Sequence, residues 1–144
     1  MSINRRRALL ALAACCLAVL GTGSSLAQDP RASVVQKSAR DWLMIADRGD
    51  GAAGWRAAGK QFQNALTSDQ WAEALKKVRP PLGEVTDRTL ASTEFAKSFP
   101  GVPDGDYALL LFRSSFAKKT DSSETVTLER EADGNWRVIG YLIR

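Results

Sequence analysis

The sequence predicts an α+β fold, about three N-terminal helices packed on a four-stranded antiparallel meander. Two observations carry this: helical spacing runs up to Pro80-Pro81, and alternating strand patterning takes over after Gly83. Helices first and strands second segregate the two layers, placing the helices on one face of the sheet. A third observation is Asp133-Gly134 between two alternating runs, a strong short hairpin signal.

Ala32 to Arg48 carries Val35, Ala39, Trp42 and Ala46 at helical spacing, with Leu43 and Ile45 widening the stripe. Asp29-Pro30 starts this helix and Gly49 stops it. A second, weaker helix is expected from Gly51 to about Gly59, with Trp55 inward, and Phe62 and Leu66 sit on a further short turn or helix. Thr67-Ser-Asp-Gln70 is a capping box, in which the hydroxyl and the amide satisfy free backbone N–H groups. The third helix runs on to about Val78, burying Trp71, Leu75 and Val78, until Pro80-Pro81 forbids continuation. Strands are expected at Val85–Ser98, Tyr107–Phe116, Thr125–Glu131 and Trp136–Ile143, with Lys118 to Ser123 as a polar loop.

Residues 1–27 read as a signal peptide: basic Arg5-Arg6-Arg7, thirteen apolar residues from Ala8 to Leu20, then a small polar stretch ending Ser25-Leu26-Ala27. The apolar run is short of the roughly 20 residues a spanning helix needs. Cleavage between Ala27 and Gln28 would release a single domain, 28–144, into the periplasm or medium, with no stable membrane span. The competing signal is Leu12-Ala-Ala-Cys15, a lipobox pattern that would anchor an acylated Cys15, although the apolar run continues past it. The arginines also hint at twin-arginine export, without the strong hydrophobe expected after the pair. Losing the three arginines leaves 17 basic against 16 acidic residues, a net charge of +1. Such a near-neutral domain carries no footprint for nucleic acid.

The chain has no histidine, and both cysteines, Cys15 and Cys16, fall in the leader. Histidine- and cysteine-based triads and ordinary zinc or copper sites are therefore excluded from residues 28–144. Asp104-Gly-Asp106 and Asp133-Gly-Asn135 have the opening spacing of a calcium loop but lack its later ligands, so turn formation accounts for both. No metal or other cofactor is expected. Trp42, Trp55 and Trp71 fall on inward helix faces. Trp136 and Tyr141, with Tyr107 and Ile139, are the candidates for a pocket wall or an interface. Arg79 ends a helix where its charge suits the dipole, and Arg137 could pair with Glu129 across the last hairpin.

Strict alternation sorts the sheet into two sets. Leu109, Leu111, Val126, Leu128, Trp136, Val138 and Leu142 form one, and Ala108, Leu110, Phe112, Phe116, Ile139, Tyr141 and Ile143 the other. Both are apolar, whereas a sheet with one solvated face alternates apolar with polar. A homodimer packed through the sheet, or a long curled helix, would cover the second face.

Trp42, Asp50, Trp55, Phe62, Trp71, Arg79-Pro-Pro-Leu-Gly83, Pro100-Gly-Val-Pro-Asp-Gly-Asp-Tyr107, Ser115-Phe116, Glu124-Thr-Val-Thr127 and Gly134-Asn-Trp-Arg-Val-Ile-Gly-Tyr141 together resemble the bacterial domain of unknown function 4019 family. The overall plan is similar to the nuclear-transport-factor-2-like (cystatin-like) cone. This resemblance implies a small exported domain without an assigned reaction, and it brings no catalytic residues. Cone-shaped enzymes of that architecture pair a carboxylate base with a tyrosine donor, which here would draw on Asp41, Glu94 or Glu129 with Tyr107 or Tyr141. The expected function is a non-catalytic envelope domain that binds a partner protein or a small apolar ligand. The alternatives are a carboxylate–tyrosine isomerase or dehydratase, and a dimerising interaction module.

Overall fold

The computed structural model describes residues 28–144; the expected leader, with Cys15 and Ala27, lies outside them. Four helices precede four strands: α1 (Arg31–Asp47), α2 (Gly51–Ala57), α3 (Lys60–Ala65), α4 (Ser68–Leu82), then β1 (Val85–Ala96), β2 (Tyr107–Phe116), β3 (Lys119–Arg130) and β4 (Trp136–Ile143). The sheet order β1-β2-β3-β4 is an antiparallel meander, so the α+β class holds.

Local signals explain most helix boundaries. The Asp29 carboxylate accepts the Arg31 backbone N–H at 2.9 Å, and Gly49 reverses the chain after α1 at φ +71°. Asp50 accepts from the Ala53 N–H at 3.0 Å as the cap of α2. The Thr67–Gln70 capping box forms in full. The short turn or helix expected at Phe62 is a helix, α3, which buries the Phe62 ring. Two expectations for the last helix need correcting. It does not stop at Val78 but includes Pro80 and Pro81 and ends at Leu82, and Val78 is exposed rather than buried, because it borders the open side of α4. The two prolines lack N–H groups that would have bonded the carbonyls of Lys76 and Lys77. Both lysines are exposed, a position where carbonyls without an intrahelical partner can bond to water.

The glycines of α2 have a packing reason. A Cβ on Gly51 would stand 2.6 Å from the Ala72 Cα, so α2 and α4 cross in direct backbone contact there. One turn on, the Gly54 carbonyl accepts the Trp42 indole N–H at 2.9 Å. The weak helix signal of Gly51-Ala-Ala-Gly54 therefore marks a close crossing rather than a loop.

The polar segment after Lys118 is strand, not loop: β3 begins at Lys119 and pairs Ser122 with Ser114 and Ser123 with Arg113. Its polarity misled because this end of the hairpin extends beyond the helices, leaving Lys119, Thr120 and Asp121 exposed. β1 ends at Ala96, two residues before the expected Ser98.

The two apolar alternation sets of β4 are the product of a β-bulge. Register shifts between Thr127 and Leu128, so that Thr127 faces Gly140 while Leu128 faces Val138, and Ile139 is the extra residue. One inserted residue inverts the face of everything beyond it. Trp136 and Val138 point to the core with Leu128; past Ile139, Tyr141 and Ile143 point there too, opposite Val126 and Glu124. On β2 the core takes Ala108, Leu110, Phe112 and Phe116, while Leu111 is exposed on the outer face. The sheet thus has one core face, and the expectation of two equally apolar faces is corrected for β4.

Aromatic rings fill the space between helices and sheet. Trp42 meets Trp71, Phe62 and Tyr141 with centroids 5.6, 6.0 and 5.3 Å apart; the last two pairs are edge-to-face, a geometry that adds to the stabilisation from burial.

Candidate functional site

Six elements each send one side chain to a buried polar node: Asp47 (α1), Arg79 (α4), Arg88 (β1), Ser114 (β2), Glu124 (β3) and Tyr141 (β4). Arg88 lies at its centre. Its Nε and Nη2 donate to Glu124 at 2.6 and 2.9 Å, and its Nη1 and Nη2 donate to Asp47 at 2.8 and 2.9 Å. Arg79 Nη1 donates to Asp47 at 2.8 Å while its guanidinium lies over the Phe116 ring. The remaining capacity of Glu124 is filled by the Ser114 hydroxyl at 2.5 Å and by the Tyr141 hydroxyl. Two arginines against two carboxylates leave no net charge, as burial of ions requires.

The electrostatics lock this arrangement. Burial alone would raise the Asp47 carboxyl, but its hydrogen bonds and charge contacts with Arg88 and Arg79 outweigh that and hold it below the usual carboxylate range. Burial disfavours the Arg88 cation, yet hydrogen bonds to Asp47 and Glu124 keep its pKa above the ordinary value. Tyr141 is pushed well up, first by burial and then by the Glu124 charge, so it remains a neutral donor. Glu124 is fully buried and accepts four hydrogen bonds, about the number a carboxylate has sites for. No lone pair remains to take a proton from a substrate.

Open space lies to the side of the node. A cleft of about 240 Å³ runs between α4 and β4, walled by Ala74, Val78, Leu142 and Ile143 and floored by Trp71 and Arg79. Tyr141, Leu142 and Ile143 all border it. Consecutive strand residues point to opposite faces, so three in a row line one cleft where it follows the strand's edge. Arg79 Nε is buried and without a hydrogen-bond partner among the described residues. A wider groove, about 890 Å³, opens between α3, the Gly101–Pro103 turn and the β3–β4 hairpin, with Gln61, Asn64, Arg137 and Ile139 in its walls.

The family profile described as "Protein of unknown function (DUF4019)" matches residues 38–141. The chain belongs to that family. No curated protein matches it. The matched span contains all six residues of the node and every residue bordering the α4–β4 cleft except Leu142 and Ile143.

In this DUF4019 domain the four candidates from the sequence are dispersed. Tyr141 joins the node and borders the α4–β4 cleft. Ile139, the bulge residue, borders the wide groove, and its Cγ2 would be 3.0 Å from a Cβ on Gly59. Tyr107 is buried, donating to the Pro103 carbonyl at 2.5 Å and accepting from Gln61 at 3.2 Å. Trp136 packs edge-on against Phe95 and borders neither space. Among the carboxylates, Asp41 pairs with Lys37 at the surface, while Glu94 and Glu129 lie outside the node. Asp106 pairs with Lys97, and Asp133 accepts from Asn135 and Arg137. Arg137 sits opposite Glu129 in register, yet its ion pairs go to Glu131 and Asp133 at 2.7 and 2.8 Å; its planar fork reaches the two hairpin carboxylates instead. Among the described residues no group of three or more carboxylates could hold a metal.

Sequence reasoning missed Asp47, Arg88, Ser114 and Glu124. A signal existed for Glu124: alternation places it on the face of Val126 and Leu128, both fully buried.

Proposed function

We propose that this is a non-catalytic binding domain of the cell envelope, with the α4–β4 cleft as the seat for an apolar group of its partner. One observation carries the reading. The buried carboxylate of the node, Glu124, is saturated and sealed, while the neighbouring apolar cleft is open and borders exposed Val78 and Leu142. An apolar cleft with one or two convergent polar groups is the usual form of a binding site. The carboxylate–tyrosine enzyme has less support: Tyr141 spends its proton on Glu124, and Tyr107, which stands opposite the groove-lining Glu129 in register, spends its own on the Pro103 carbonyl.

The test is titration with an anilinonaphthalene sulfonate dye, reading fluorescence, on the wild type and on Ala74→Leu, which fills the cleft. Saturable binding is expected, weakened at least about tenfold by the substitution as the added side chain occupies the space. Binding that ignores Ala74→Leu, or none at all, would refute the assignment of the cleft.

A further inference from the structure

The floor of the α4–β4 cleft holds a donor that the node does not use. Arg79 is only 7% exposed, and its Nη1 donates to Asp47 at 2.8 Å. Its Nε is buried with no hydrogen-bond partner among the described residues. An unpaired buried donor costs more than an ordinary hydrogen bond returns, and native folds seldom keep one.

The shape of the guanidinium fixes where that donor points. The group is a planar, rigid fork. Nη1 lies on the Cδ side of it, and the Nε N–H lies on the opposite edge, beside Nη2. Asp47 therefore takes one side of the plane and leaves the Nε edge free on the other. The Phe116 ring, 5.0 Å from Cζ, covers a face of the plane, so a new acceptor arrives at the free edge. Asp47 borders a separate opening beside Gly49 and Gly83, whereas the α4–β4 cleft is bordered by Arg79 without Asp47. The free edge and the cleft thus lie on the same side of Arg79. Trp71 Nε1 is also buried and unpaired among the described residues. It stands 3.1 Å from where a Gly54 Cβ would be, against α2, so the donor for the cleft is Arg79.

We propose that the occupant of the cleft is a short acyl amide or ester, whose carbonyl oxygen accepts the Arg79 Nε N–H while its alkyl chain lies among Val78, Leu142 and Ile143. The proposal rests on the cleft reading above and names the ligand's chemistry. Neutrality follows from the node, where Arg79 and Arg88 already balance Asp47 and Glu124. A carboxylate would add a buried negative charge with no cation to match it; a carbonyl adds none. An ammonium has only donors to offer and would face the Arg79 cation. Volume limits the chain: at about 240 Å³ the cleft falls below the roughly 300–1,000 Å³ of sites for drug-sized ligands. Entry is open because α4 packs chiefly on α2 rather than on β4, so the seam over Arg79 widens while that contact holds.

Three fragments with one six-carbon chain test this: N-methylhexanamide, hexanoate and hexylammonium. Each is titrated to millimolar concentration into nitrogen-15-labelled protein purified after expression of the full chain. The readout is the Arg79 Nε–H resonance, assigned by its loss in Arg79→Lys, which keeps a cation for Asp47. Backbone amide shifts at Ala74, Val78 and Leu142 give the same ranking without any variant. N-methylhexanamide should shift the Nε–H resonance saturably. It should bind at least about tenfold more tightly than the other two, the margin set by one buried hydrogen bond. Ala74→Leu should weaken that binding at least about tenfold.

Equal binding of the three fragments overturns the carbonyl assignment, and tighter binding of hexanoate overturns neutrality. An Nε–H resonance that stays still while the amide binds removes Arg79 from recognition and the proposal with it. If no fragment binds but the dye does, in a manner sensitive to Ala74→Leu, this proposal fails while the cleft reading stands. Loss of both removes the two together.

Discussion

At Glu124 a buried charge is matched donor for donor, so neutralising it unbalances Arg88 rather than merely deleting one bond. Breaking a buried pair from one side costs about 3–5 kcal/mol. Glu124→Gln should therefore lower the urea-unfolding free energy by about 3 kcal/mol; a loss within experimental error would mean the node is incidental to stability. Asp47 adds a pH dependence. Its folded carboxyl titrates below the unfolded value, so its contribution is fully present above the unfolded pKa of about 3.9 and is lost as pH falls through the folded one. Stability should be level near neutral pH and decline below about pH 4, with a shallower decline in Asp47→Asn. An equal acid slope in wild type and variant would remove Asp47 from that account. At this scale the sequence was only partly legible: Glu124 announced itself by falling in an apolar alternation, whereas Asp47 and Arg88 resemble surface charges until the ends of α1 and β1 are brought together.

Elements were more readable than residues, because their signals are local. The capping box at Thr67 needs only four consecutive residues, and it formed as expected; Thr67→Ala should cost about 1 kcal/mol in thermal or chemical unfolding. Gly51 is the opposite case. Its glycine looked like a weak helix and is instead the contact point of α2 with α4, so Gly51→Ala should destabilise by about 1–3 kcal/mol through overpacking, although alanine is the better helix former. A neutral or stabilising result would show that the crossing can open. The Ile139 bulge belongs here too. Strict alternation made β4 look apolar on both faces, and the missing information was a one-residue shift against β3.

For the whole molecule, the node joins α1, α4 and all four strands, and the aromatic cluster joins helices to the last strand. Helical and sheet layers should accordingly unfold together, with far-ultraviolet and near-ultraviolet circular dichroism tracing one transition. Two separated transitions would mean the layers are stable apart. From sequence alone came the α+β class, the strand order of a meander, the family, and the exclusion of histidine and cysteine chemistry from residues 28–144, since each depends on composition or near-neighbour spacing. Tertiary structure alone decided which charges meet in the node, which face Tyr141 and Ile143 occupy, and where the α4–β4 cleft opens. Those depend on register and on contacts between residues far apart in the chain, such as Asp47 with Arg88 and Arg88 with Glu124.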